Sequence, residues 1–245
     1  MRQALRRFAS PTRAAGVARF FKTGKGEYGE GDRFMGLTVG EQRLVVREFR
    51  ALPLEEADKL LTSKYHEERL TALLILVHQF NAAPDDAVRA KIFRLYLKRL
   101  PHVNNWDLLD SSADPIVGGW LADKDRGLLD RFAVSKHLWT RRVAIIATFY
   151  FIKGGEARDT LRIAEALLND RHDLIQKAVG WMLREVGKRV HPDILRAFLR
   201  RHASAMPRTA LRYAIERFPP SERREWLQMK HPAKSQSSRS AAGRL

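Results

Sequence analysis

The run Asn105-Trp106-Asp107-Leu108-Leu109-Asp110 holds an indole and two carboxylates. On a helix, residues four apart share a face, so Trp106 and Asp110 project together. A fixed carboxylate can stabilise a developing positive charge or position a water. An indole face does the first more weakly. Asp107 falls in the first turn of such a helix, where a carboxylate caps free N–H groups, and it reads as structural. Asp110 is the candidate for chemistry. A second indole, Trp181, lies four residues after Lys177 and is expected to face the same surface. Trp120, Trp139 and Trp226 carry no such pattern and read as packing residues.

Other chemistries lack their residues. The histidines form no metal spacing, and His66, His102, His137 and His172 fall near expected inter-helix turns. No GxSxG occurs, so a nucleophile elbow is disfavoured. Gly24, Gly26, Gly29, Gly31 and Gly36 resemble a phosphate-cradling loop only superficially, because the Lys-Ser/Thr ending is absent. No cofactor and no metal are expected.

The elements that must position these residues are helical. No stretch alternates with a period of two, so strands are not supported. Ser10-Pro11 reads as an N-cap and first helical position, opening a helix that runs to about Thr23. The glycine-rich stretch 24–36 is then a loop between two helical blocks. Four later segments share a cation followed by apolar residues at helical spacing. Aligned on Arg69, Arg142, Lys177 and Arg208, they step by about 73, 35 and 31 residues. The first step is double, so a repeat belongs midway, where Trp106 replaces the cation. A period in the mid-thirties, with two helices per unit, is that of HEAT-like solenoids. The expected fold is all-α: a curved stack of helix pairs with a basic concave face. The residues opening the second helices, Arg69, Arg141, Arg142, Lys177 and Arg208, would then share one surface and favour phosphate.

Composition agrees. The formal net charge is +17, an excess that favours a polyanionic partner, nucleic acid ahead of an anionic membrane surface. Hydrophobic residues make up 44%, enough for a core. The absence of cysteine excludes disulfides and thiolate metal sites and fits a reducing cytosol. No apolar run approaches the roughly 18 residues of a membrane span. The basic N-terminus, Met1 to Phe8, has a transit-peptide flavour but reads as the first helix, since helical patterning continues through Phe21. Residues 1–230 are expected to form one repeat domain. The tail 231–245, rich in Ser, Ala, Lys and Arg, is expected to be disordered.

The chain resembles the AlkD-like DNA alkylation repair proteins. The resemblance rests on Phe20-Phe21-Lys22-Thr23-Gly24, on 26–34 (Gly-Glu-Tyr-Gly-Glu-Gly-Asp-Arg-Phe), on 105–110, on 138–144, and on 175–185 around Lys177-Ala-Val-Gly-Trp181-Met-Leu-Arg184-Glu. It covers about residues 1–228. It implies a monofunctional N-glycosylase acting on cationic lesions, chiefly 7-methylguanine and 3-methyladenine, in duplex DNA. By motif, Asp110 would be the catalytic carboxylate, and Trp106 and Trp181 would flank the lesion's deoxyribose. Arg142, or else Arg141, would hold DNA backbone. Tyr28 and Arg184, within the matching segments, join Lys177, Arg69 and Arg208 as expected DNA-binding residues. Asn105 departs from a position where family members can carry an aromatic. A monomer in the cytosol, with no membrane partner, is expected.

An alkylated purine already bears positive charge and leaves without a general acid. One carboxylate and two indoles would then suffice. Two other readings remain open: a non-catalytic HEAT-repeat protein binding distorted or branched DNA, and a protein–protein scaffold, which the charge disfavours.

Overall fold

Helix α1 (Arg2–Arg6) buries Leu5, so the basic N-terminus is part of the fold. Ser10 caps α2 (Pro11–Phe20) with its hydroxyl, and Pro11 takes the first position. Thr38 and Glu41 close a reciprocal capping box on α3 (Val39–Glu48). Between α2 and α3 the glycine-rich segment is a loop, with Gly26, Gly31 and Gly36 at positive φ. At Gly36 a side chain would also strike Ser10 O, 2.3 Å from the Cβ position. The computed structural model describes residues 1–229, and the expected basic tail, 231–245, lies outside the described residues. Among the described residues no strand forms, and one isolated bridge pairs Arg33 with Tyr65.

The remaining helices follow in pairs: α4 (Leu54–Leu61) with α5 (His66–Asn81), and α6 (Asp86–Arg99) with α7 (Trp106–Asp110). Next come α8 (Gly127–Ala133) with α9 (Leu138–Ile146), then the short α10 (Phe149–Lys153). The last are α11 (Arg158–Ala166) with α12 (Asp173–Arg189), α13 (Pro192–His202) with α14 (Arg208–Ala214), and α15 (Pro220–Gln228). The second members touch in order: α5 on α7, α7 on α9, α9 on α12, α12 on α14. They form one layer, and α4, α8, α11 and α13 pack behind it. A helix does begin at Trp106, where the doubled spacing required one.

One core runs through both layers, from Ala57 to Trp226. A smaller cluster of Ala4, Leu5, Met35, Leu37 and Val45 joins α1 to α3 and to the end of the glycine-rich loop. α2 buries no residue, and its last one, Phe20, is 64% exposed.

α12 and α14 approach closely because α12 carries Gly180 at their crossing. A Cβ there would lie 2.3 Å from Ala210 O and 2.5 Å from Tyr213 Cβ. Gly180→Ala must push α14 away, although alanine is the better helix former. The expected loss is about 1–3 kcal/mol of unfolding free energy by chemical denaturation.

Candidate active site

α7 is a single short helix held at both ends. Asn105 caps it, its Oδ1 accepting from Trp106 N at 2.8 Å. Trp106 takes the first position and Asp110 the fifth. The fifth positions of α9 and α12 are Arg142 and Lys177. Asp110, and not Trp106, therefore stands where α9 and α12 carry a cation, while Arg69 and Arg208 take the fourth and first positions of α5 and α14. This corrects the alignment made from spacing, which had no helix starts to count from.

The replacement has a direct consequence. Asp110 and Arg142 occupy equivalent places in adjacent helices and meet. Arg142 Nε donates to Asp110 Oδ1 at 2.9 Å and Nη2 to Oδ2 at 2.7 Å. Nη1 donates to the carbonyl of Leu174, so one buried guanidinium links α7, α9 and α12. The pair forms part of the wall of a cleft of about 470 Å³. Trp106 and Trp181 both line that cleft, as do Tyr28, Lys177 and Arg184. Phe20 and Tyr213 complete it, with Leu174.

Residues 1–218 match the sequence model of a family described as DNA alkylation repair enzyme. The chain belongs to that family. A solved structure described as a predicted DNA alkylation repair enzyme from Enterococcus faecalis shares the fold, with a TM-score of 0.67 at 19% identity. The alignment covers 86% of this chain and 97% of that one. No curated protein matches.

In this DNA alkylation repair family member, the structure redistributes the expected DNA contacts. Arg69 is buried: it pairs with Asp32 at 2.7 Å and donates to Ser63 O and Asn104 Oδ1. Arg142 is buried against Asp110 and does not offer its guanidinium to solvent. Arg141 is engaged by Asp170 and by the carbonyls of Ser135 and Lys136. A cation early in a helix looks the same in sequence whether it turns outward or back onto the preceding turn; Arg69 and Arg141 turn back, and Arg142 reaches across to the neighbouring helices. Lys177 and Arg184 do reach the cleft, paired with Asp173 and Glu216. Arg208 is exposed at the start of α14. Tyr28 sits edge-on to Trp139, 5.9 Å between centroids, and burial raises its pKa.

The inward arginines belong to a repeated turn. Ser63 Oγ accepts from Tyr65 N, and Arg69 donates to Ser63 O. Ser135 Oγ accepts from His137 N, and Arg141 donates to Ser135 O. Asp170 Oδ1 accepts from His172 N, and Gln176 donates to Asp170 O. The next residue in each turn is a cation, Lys64, Lys136 or Arg171. All three are exposed, and among the described residues none makes an ion pair. The corresponding residue before α7 is Asn104, turned inward onto Asp32 at 3.2 Å. The signal was present in the sequence as Ser-Lys, Ser-Lys and Asp-Arg steps ahead of each helix. Phe20 was legible only as part of an apolar doublet, and Tyr213 not at all.

Burial pushes the Asp110 carboxyl above the usual aspartate range, against the pull of Arg142. Removing the guanidinium leaves that carboxylate buried and unpaired. Arg142→Met should lose about 3–5 kcal/mol of stability at neutral pH. The sign then fixes the pH trend. The Asp110 pKa rises further, so the variant's deficit against the native protein shrinks as acid protonates Asp110. Urea denaturation at pH 5 and pH 8 measures both effects.

Proposed function

We propose that the cleft is the site of a DNA N-glycosylase that releases cationic alkylated purines, such as 7-methylguanine and 3-methyladenine, from duplex DNA. The observation carrying this reading is the convergence of Asp110, Trp106 and Trp181 on one solvent-open cleft. Membership of a DNA alkylation repair family supports the substrate class.

In this mechanism the C1′–N bond breaks and its electron pair neutralises the purine's positive charge. The sugar carries the positive charge that results. Asp110, in its ionised form and oriented by both N–H bonds from Arg142, stabilises that charge. The indole faces of Trp106 and Trp181 add a cation–π contribution. A water adds to C1′ and gives its proton to the Asp110 carboxylate or to solvent. No group on the protein has to protonate the base. DNA backbone is held by Lys177, Arg184 and Arg208 and by the exposed cations of the repeated turns.

Release of 7-methylguanine from alkylated duplex DNA tests the chemistry. Asp110→Asn should slow single-turnover release by about 100- to 1000-fold while leaving DNA affinity near the native value. The native rate should fall with acid through an apparent pKa above that of an ordinary aspartate, because only the ionised carboxylate acts. Unchanged release in the variant removes Asp110 from the mechanism.

Binding is tested separately by salt dependence. Removing Lys64, Lys136 or Arg171 should each lower the slope of log affinity against log salt by about 0.9, if each neutralises one phosphate. The buried Arg69 should not behave as a phosphate contact.

A second reading has one observation in its favour: a bidentate buried ion pair is also what a purely structural link between helices looks like. A non-catalytic protein recognising distorted or branched DNA would show the same salt slopes with no base release.

A further inference from the structure

His66, the first residue of α5, is 2% exposed and lies one helix away from the cleft. Both of its ring nitrogens face carboxylates. Nε2 lies 2.7 Å from Asp107 Oδ2, and Nδ1 lies 3.2 Å from Asp32 Oδ2. A neutral imidazole has one donor and one acceptor, so it would turn a lone pair toward one of these oxygens. Only the imidazolium donates to both. Arg69 completes the group through Asp32. Two carboxylates and two cations then balance in a largely buried group in which Asp107 alone keeps partial exposure, and loss of the His66 proton leaves a net negative charge there.

The charged groups facing His66 come from three elements: Asp32 from the glycine-rich loop, Asp107 from α7 and Arg69 from α5. The acidic neighbours on α5 are engaged elsewhere. Glu67 accepts from the backbone N–H groups of Met35, Gly36 and Leu37, and Glu68 pairs with Arg2. The rings of Phe21 and Phe34 lie against the imidazole, 4.9 and 4.7 Å between centroids.

Two routes run from His66 to Trp106. Asp107 is the next residue of α7, so its grip on Nε2 fixes the first turn of that helix. Phe21 packs on both rings, 5.3 Å from the Trp106 indole. We infer that His66 is a positioning residue for Trp106: as an imidazolium bridging Asp32 and Asp107, it locks the start of α7 in the orientation that turns the indole into the cleft. The inference rests on reading that cleft as the glycosylase site.

Burial opposes the charge on His66, but the two carboxylates outweigh it and its pKa is raised. For a raised histidine, the stabilisation is complete below the unfolded value. It is lost as pH rises through the folded value. The coupling therefore holds below the raised His66 value and fails as pH rises through it. This is opposite to the acid limb set by Asp110.

The test uses the full chain. The protein has five tryptophans, and the Trp106 indole N–H resonance is assigned with Trp106→Phe. The native Trp106 signal should shift with pH in step with the His66 imidazole resonances, and His66→Gln should abolish that shift. His66→Gln should also slow base release at saturating DNA by on the order of tenfold to a hundredfold, as a misplaced catalytic group does. Affinity for undamaged DNA should stay unchanged, and the alkaline decline of the native rate should vanish.

A Trp106 signal indifferent to His66 titration overturns the inference. So does a His66→Gln protein that keeps both the native rate and the alkaline decline. If His66→Gln fails to fold, the native titration decides alone. If the native protein releases no base, the glycosylase reading fails, and the coupling of Trp106 to His66 is judged from the indole signal.

Discussion

Arg142 is the point at which the inner layer is pinned together. Its guanidinium binds both oxygens of Asp110 on α7 and the Leu174 carbonyl that opens α12, while its own backbone belongs to α9. Three successive helices therefore share one buried cation. Such an ion pair adds little net stability over an apolar replacement, because both charges must first leave water. What it adds is direction. A planar fork with two parallel N–H bonds fixes the carboxylate plane as well as its position. A carboxylate used for electrostatic stabilisation needs that property, since it must already point at the charge before the charge develops.

The same constraint explains why repetition and function meet at α7. Arg142 and Lys177 follow the repeat, each at the fifth position of its helix. Asp110 inverts the sign at that position. In a stack of equivalent helices, a sign change at one position automatically places opposite charges next to each other. The turn ahead of α7 departs in the same repeat, with Asn104 facing inward where its counterparts Lys64, Lys136 and Arg171 face solvent. The repeat that carries the candidate chemistry is thus the one that gives up its outward cation.

Much of this was legible in the chain. The helical class, the cap at Ser10, the glycine-rich loop and the helix starting near 106 all follow from local rules of propensity and spacing. Trp106, Asp110 and Trp181 could be named because a carboxylate among recurring cations is out of place, and because their segments resemble a family. The fate of individual arginines was not legible. Arg69, Arg141 and Lys177 each follow their helix start by three or four residues, yet only Lys177 reaches the cleft. The difference lies in what each turn offers: a free carbonyl at Ser63 or Ser135 captures the long side chain, while Gln176 takes that place at Asp170 and leaves Lys177 outside. Those are contacts between side chain and backbone that spacing does not encode. The link from His66 to Asp32 and Asp107 was equally hidden, because its members lie 34 and 41 residues apart.

α7 shows why such links are needed. It runs only from Trp106 to Asp110, far below the roughly 12–15 residues at which an isolated helix becomes marginally stable in water. Its own hydrogen bonds cannot fix its orientation. Leu108 and Leu109 anchor one side in the core, which leaves rotation and tilt to be set by the polar face. That face is gripped at its second residue by His66 and at its fifth by Arg142, two side chains from different helices. A longer helix would need neither grip, but it would also carry more of its polar groups into the cleft wall. A short helix held from both sides presents an indole and a carboxylate and little else.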